Sequence, residues 1–284
     1  MKFRVSRIPN YLRAIRENPS LVRYALTHPS FEKLMAHYTL TTVSTASTSF
    51  HNDGILHELI SRTIESFCIR TFFETGTFKG ESLRFAIRKF GNRLNYISCE
   101  IDKEIFDFAS IQLAKDNSIG VEAKRKVVLL NGTSPALIRK TSQDGTAVPP
   151  VLYWLDAHWY SNLPLLDELK EILGSSQEAV IMIDDFKVPQ SSPFSGRFDS
   201  YGDVELSLDY IGNTLRLYGE ASSYAILFPN YDDDSAHSAG NLRGYVAIYF
   251  NAKEKYRAFR ETNLGFLRQN FVFWNIESGR GEAI

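Results

Sequence analysis

The chain has 284 residues, 44% of them hydrophobic and 23% charged, which is an ordinary globular balance with enough apolar material for one α/β domain with additions or two small domains. A formal net charge of −1 gives no general electrostatic reason to bind nucleic acid or an anionic membrane, and no apolar run approaches the ~20 residues that span a bilayer. Cys68 and Cys99, one in a predicted helix and one in a predicted central strand, read as two buried reduced thiols, which favours a reducing, cytoplasmic setting.

The N-terminal stretch reads as a helical extension and connector over residues 1–54. Ile15, Leu21, Tyr24 and Ala25 have helical spacing, and Asn18-Pro19-Ser20 and His28-Pro29-Ser30 read as helix boundaries. Six basic residues, Lys2, Arg4, Arg7, Arg13, Arg16 and Arg23, face a single acid, Glu17. A transit peptide and a solvated basic helix face both fit, and the latter is preferred.

From Ile55 a helix runs into a strand near Arg70 to Glu74. The pattern then alternates as crossover helices and parallel strands do. Helices are expected over Ser82 to Phe90, Ile105 to Lys115, Pro135 towards Lys140, and through Leu165, Leu169 and Ile172. The strands between them are Asn95 to Glu100, Lys126 to Leu130, Val151 to Asp156 and Ala179 to Ile183. A polar loop, Pro189 to Asp203, precedes another helix. Two last strands, Tyr224 to Phe228 and Tyr245 to Phe250, flank an acidic, flexible loop over Asn230 to Asn241. Residues 55–251 therefore form the main domain, and 252–284 are expected to be a C-terminal helix and tail.

The most informative stretch is Glu74-Thr75-Gly76-Thr77-Phe78-Lys79-Gly80-Glu81-Ser82, with Glu100 ending the next strand. A strand breaking into a glycine-containing turn and then a helix brings bare backbone close to a ligand. A carboxylate at the tip of the following strand can grip the two hydroxyls of a ribose. Dinucleotide sites favour G-x-G-x-x-G, whereas here an acid, Glu74, stands where the first glycine should be. An anion repels a pyrophosphate but attracts an ammonium and a sulfonium. The turn resembles motif I of class I S-adenosylmethionine (SAM)-dependent methyltransferases. After the third strand, Thr133 replaces the acid that many such enzymes direct at adenine; Ser134 could supply a hydroxyl instead, or simply cap the helix that follows.

Two consecutive strands end in acids, Leu155-Asp156-Ala157-His158-Trp159 and Ile183-Asp184-Asp185-Phe186. Three carboxylates meeting at one edge of a sheet would repel unless a cation joins them, and hard oxygen ligands suit Mg²⁺; capping of loops and helices is the competing role. From Glu74 to Phe186 the chain resembles catechol O-methyltransferase and related Mg²⁺-dependent small-molecule O-methyltransferases. The resemblance implies metal ligation by Asp156, Asp184 and Asp185. It also implies cofactor contacts from Glu74, Gly76, Thr77, Phe78, Gly80, Ser82, Glu100, Ile101, Thr133, Ser134 and Asp156. Ala157 is inserted before His158, and Tyr160 stands where catechol-type enzymes carry a Lys base. The base is accordingly open among His158, Lys187 and Tyr160, with His158 first.

The expected fold is an α/β, Rossmann-like seven-stranded methyltransferase sheet with its last strand antiparallel, helices on both faces and the N-terminal extension. The expected activity is methylation of a small-molecule or sugar-like hydroxyl by SAM, assisted by Mg²⁺, with no general nucleic-acid or membrane partner. The sequence does not choose an oligomeric state, homodimer included. A metal-independent N- or C-methyltransferase is the runner-up; a Rossmann oxidoreductase conflicts with Glu74, and a non-catalytic cofactor binder leaves the acidic cluster without a purpose.

Overall fold

The computed structural model describes residues 49–158, 162–175, 178–189, 191–237, 242–275 and 280–282, all within the compact unit that begins at Thr48. The helices expected up to residue 48, together with Trp159 and Tyr160, lie outside the described residues.

Helix α1 (Gly54–Ser66) starts at Asp53, whose carboxylate accepts the Leu56 N–H at 2.9 Å as an N-cap. Strand β1 (Thr71–Thr75) is buried along its whole length, as are β4 (Val151–Leu155) and β5 (Ala179–Ile183). Continuous apolar runs of this kind are what a parallel sheet covered on both faces demands. Between β1 and β4 come α2 (Glu81–Phe90), β2 (Asn95–Glu100), α3 (Lys103–Lys115), the short α4 (Val121–Lys124), β3 (Val127–Asn131) and α5 (Ser134–Gln143). After β4, α6 (Leu165–Ser175) buries Leu165, Leu169, Ile172 and Leu173, and also Glu168, a carboxyl on an otherwise apolar face.

The polar loop after β5 holds a two-residue ribbon, β6 (Ser200–Tyr201) against β7 (Val204–Glu205), and leads to α7 (Leu208–Tyr218). Strands β8 (Tyr224–Pro229) and β9 (Val246–Phe250) follow. The chain then adds α8 (Lys253–Thr262), α9 (Leu264–Asn270), β10 (Phe271–Asn275) and β11 (Arg280–Glu282).

The strand order is β11-β10-β8-β9-β5-β4-β1-β2-β3. The seven expected strands are present, β1 to β5 running parallel and β9 antiparallel between β5 and β8. The expected C-terminal helix is present as α8 and α9, and the sheet continues by two strands where a tail was expected, because β10 pairs antiparallel with β8 and covers its open edge. Connections leave β1 towards β3 on one side and return through β4 on the other. The switch point therefore lies between β1 and β4, where such sheets bind ligands at their C-terminal edge.

Two local expectations change. Cys99 is buried but Cys68 is exposed, and both are free thiols. The segment after β8, expected to be flexible, is docked: Tyr231 and Ala236 are buried, and the Ala236 carbonyl accepts the Gly54 N–H at 3.0 Å. Among the described residues no helix is long and apolar enough to cross a membrane.

Candidate active site

The turn after β1 folds back on the end of β2. The Cys99 carbonyl accepts the Gly76 and Thr77 N–H groups at 3.0 and 3.1 Å, and Gly80 N–H donates to the Thr77 carbonyl at 2.7 Å. Gly76 and Gly80 have φ of +79° and +71°, and Phe78 between them has φ +45°. At Gly76 the reason for glycine is visible in space as well, since a Cβ would stand 2.4 Å from the Asp156 carbonyl oxygen. The ends of β1 and β4 thus touch backbone to backbone.

Glu100 is 8% exposed, and the turn presents its carboxylate: Oε2 accepts the Phe78 N–H at 3.1 Å and Oε1 the Asp102 N–H at 3.0 Å. Burial raises its pKa, and the two backbone hydrogen bonds oppose that. Each oxygen still has a lone pair for a diol. Ile101 beside it is 52% exposed. Asn131 donates its amide to the Glu100 carbonyl at 2.8 Å, tying β3 to this tip. Glu74 points into the sheet, where Ser98 Oγ donates to its Oε2 at 2.6 Å and Thr77 Oγ1 lies 2.7 Å from Ser98 Oγ. Thr133 is the N-cap position of α5, though its side chain makes no capping bond, and Ser134 opens that helix, 6% exposed. Ser82 lies in the first turn of α2.

The second cluster gathers at the ends of β4 and β5. Asp184 is 3% exposed; its Oδ1 accepts the Asp185 N–H at 2.8 Å, and its Oδ2 stands 2.8 Å from His51 Nε2. Burial lowers the His51 pKa, but the charge and hydrogen bond of Asp184 raise it more, to about 9. Asp185, at φ +51°, is bonded by Arg243, which also bonds Asp199. Burial would raise the Asp185 pKa, but the Arg243 guanidinium beside it holds the carboxyl below the usual carboxylate range. Asp156 keeps 37% of its side chain open, and its pKa is raised by desolvation and by the like charges of Asp184 and Asp185. His158 is 6% exposed, with Nε2 3.6 Å from Asp156 Oδ1 and 3.7 Å from Asp185 Oδ2 and no hydrogen-bond partner.

These residues fit a divalent ion. Donor atoms of Asp156, His158 and Asp185 lie within 4.8 Å of one another, as do those of His51, Asp184 and Asp185. Asp185 belongs to both trios, whereas Asp156, Asp184 and Asp185 form no such trio by themselves among the described residues. Lys187 is not brought in: it pairs with Glu205 at 2.5 Å and sits 5.4 Å from the Phe198 ring.

Three participants escape a reading of the sequence. His51 lies in a connector and meets Asp184 133 positions away. Arg243 falls in a stretch read as loop end; beside it, a Cβ on Gly244 would stand 2.3 Å from the Phe186 carbonyl, which marks a tight crossing behind Asp185. Glu168 is 1% exposed with Oε1 unpartnered, and burial raises its pKa against hydrogen bonds with Ser134 and Thr75. Its one sequence signal is a charge on the buried face of α6.

No protein-family model matches the sequence, and no curated protein matches it. Solved structures do. An O-methyltransferase from Bacillus cereus, in complex with SAH, is similar over 81% of this chain and 90% of that one, at 14% identity and a TM-score of 0.50. The O-methyltransferase TomG from Streptomyces achromogenes, involved in tomaymycin synthesis and solved with SAM, is similar over 83% and 97%, at 14% identity and a TM-score of 0.48. The first likeness, together with the reversed seventh strand, defines the class of architecture. The chain has the methyltransferase fold.

Proposed function

We propose that this protein is a SAM-dependent methyltransferase that methylates a hydroxyl of a small-molecule acceptor, with a divalent cation held at the cluster that includes Asp156, Asp184 and Asp185. The observation that carries the reading is Glu100: a nearly buried carboxylate presented by two backbone amides at the tip of β2, beside the Gly76 turn and one strand from the switch point of the sheet. Its two oxygens suit the ribose diol. The turn at Gly76 admits close backbone approach for the methionine end, with Ser82 and Ser134 as hydroxyl partners.

Bound SAM supplies an electrophilic methyl group, and a bound dication lowers the pKa of an acceptor hydroxyl. The chain's own task is alignment, since displacement at a methyl carbon requires nucleophile and leaving group in line. Asp156, the open carboxylate at the end of β4, can take a proton from the acceptor, and Tyr201, whose hydroxyl lies 3.2 Å from the His158 carbonyl, helps to hold that segment. The reading places cofactor binding in residues 55–251 and acceptor choice in the loops after β5 and β8. Those loops are clasped by Arg197 on Asp233 through two hydrogen bonds of 2.9 and 2.8 Å. The free thiols support the reducing, cytoplasmic setting.

A metal-independent reading also has an observation in its favour, because His51 and Arg243 already neutralise part of the carboxylate charge. Transfer of labelled methyl from SAM to a panel of catechols and sugars, with and without chelator, decides. We expect chelation and Asp184→Asn each to reduce transfer at least ~100-fold while SAM still binds, an amide being a poorer ligand for a hard dication. Full transfer in chelator would remove the metal.

A further inference from the structure

We propose that His158 is a metal ligand rather than the general base, so that the centre is a mixed nitrogen–oxygen site selecting a first-row transition dication over Mg²⁺. This rests on the reading that the site holds a divalent ion.

The starting point is a buried nitrogen with nothing to bond. The His158 side chain is 3% exposed, yet among the described residues Nε2 has no hydrogen-bond partner, and a buried polar atom left unpaired costs ~1–3 kcal/mol. The His158 ring packs roughly perpendicular to that of Tyr201, with ring centres 5.9 Å apart, and the Tyr201 hydroxyl donates towards the His158 carbonyl. Nε2 faces one oxygen of Asp156 and one of Asp185, at 3.6 and 3.7 Å.

Those separations are too long for hydrogen bonds, which fall off beyond about 3.2 Å. They lie within the limit for three donors on one ion: two donors each ~2.1 Å from a metal can stand no more than ~4.2 Å apart. The other oxygen of Asp185 is taken by Arg243, and this leaves Oδ2 as the one turned to His158. The far side of the cluster repeats the chemistry, with His51 on Asp184.

Mg²⁺ prefers an all-oxygen shell and holds its waters; an imidazole in the shell shifts preference towards Mn²⁺, Fe²⁺ or Zn²⁺. Once its Nε2 is bound to a metal, His158 cannot also take the acceptor's proton. That proton then falls to the second oxygen of Asp156, whose side chain is 37% open, or to solvent.

The test uses the full chain loaded with SAH and titrated with Mn²⁺, reading binding by calorimetry and imidazole coordination by pulsed electron paramagnetic resonance with ¹⁵N-histidine labelling. We expect a histidine-nitrogen modulation that persists in His51→Gln and disappears in His158→Gln, with Mn²⁺ affinity at least ~10-fold weaker in the latter. We also expect more than ~10-fold excess Mg²⁺ to be needed to displace Mn²⁺. Bound Mn²⁺ without histidine modulation, or modulation lost in His51→Gln alone, overturns the assignment and leaves the metal reading in place. Mn²⁺ failing to bind a chain that binds SAH overturns both the assignment and the metal, but not the methyltransferase. Should His158→Gln not bind SAH, labelled His51→Gln decides: its signal supports His158, and its silence overturns it.

Discussion

Glu74 is 2% exposed, has no cation beside it among the described residues, and carries a pKa pushed up to about 8 by burial against the opposing bond from Ser98. The sequence suggests an anion there; at neutral pH its surroundings favour the neutral acid. The sign follows from linkage. The folded chain keeps a proton that the unfolded chain releases above about 4.5, so this stabilising contribution is full below 4.5 and lost as pH rises through 8. Glu74→Gln, neutral throughout, should match the parent near pH 5 and exceed its stability by roughly 2 kcal/mol or more at pH 9. Denaturant unfolding at the two pH values checks this, and an equal difference at both would mean that Glu74 stays ionised. Two positions away, Gly76→Ala meets both a left-handed φ and the Asp156 carbonyl. We expect a loss of about 2 kcal/mol or more, with weaker SAM binding because the end of β4 must move. Normal stability and affinity in that variant would contradict the close approach.

At the scale of elements, the segment just before α1 does more than connect. Phe50, His51 and Asn52 are three successive non-glycine residues at φ of 48°, 56° and 57°, each costing ~1 kcal/mol or more. Two anchors hold them: Phe50 packs edge-on against Phe72, Phe85 and Trp154, and His51 meets Asp184. Phe50→Ala should therefore cost ~3–5 kcal/mol and also free His51 from Asp184. Thermal unfolding reads the first effect. The His51 imidazole resonance, titrating near 6.5 in place of about 9, reads the second. An unchanged His51 titration would show that the strap stands without Phe50. Nothing local signals this strap, since Ser-Phe-His-Asn has no periodicity and its partners are far along the chain. The C-terminal β10 was equally illegible: five residues after a short helix match a helical continuation as well as a strand, and only the open edge of β8 decides.

For the whole molecule, the alternation of apolar strands and amphipathic helices was enough to place β1 to β5, β8 and β9 and to put Glu100, Asp156, Asp184 and Asp185 at one edge of the sheet. Periodicity and turn chemistry are local, and these elements are locally determined. What balances the carboxylates is not local: Arg243 reaches Asp185 across 58 positions, and Glu168 enters the site from a helix whose pattern reads as plain core. The central claim is that this edge binds SAM. Calorimetric titration of the full chain with SAM, SAH and NAD, repeated with Glu100→Ala, tests it most directly. The fold and Glu100 predict binding of SAM and SAH at one site, no binding of NAD, and a loss of roughly 2–3 kcal/mol in a folded Glu100→Ala variant. Binding of NAD in preference to SAM, or SAM affinity untouched by loss of the Glu100 carboxylate, would contradict it.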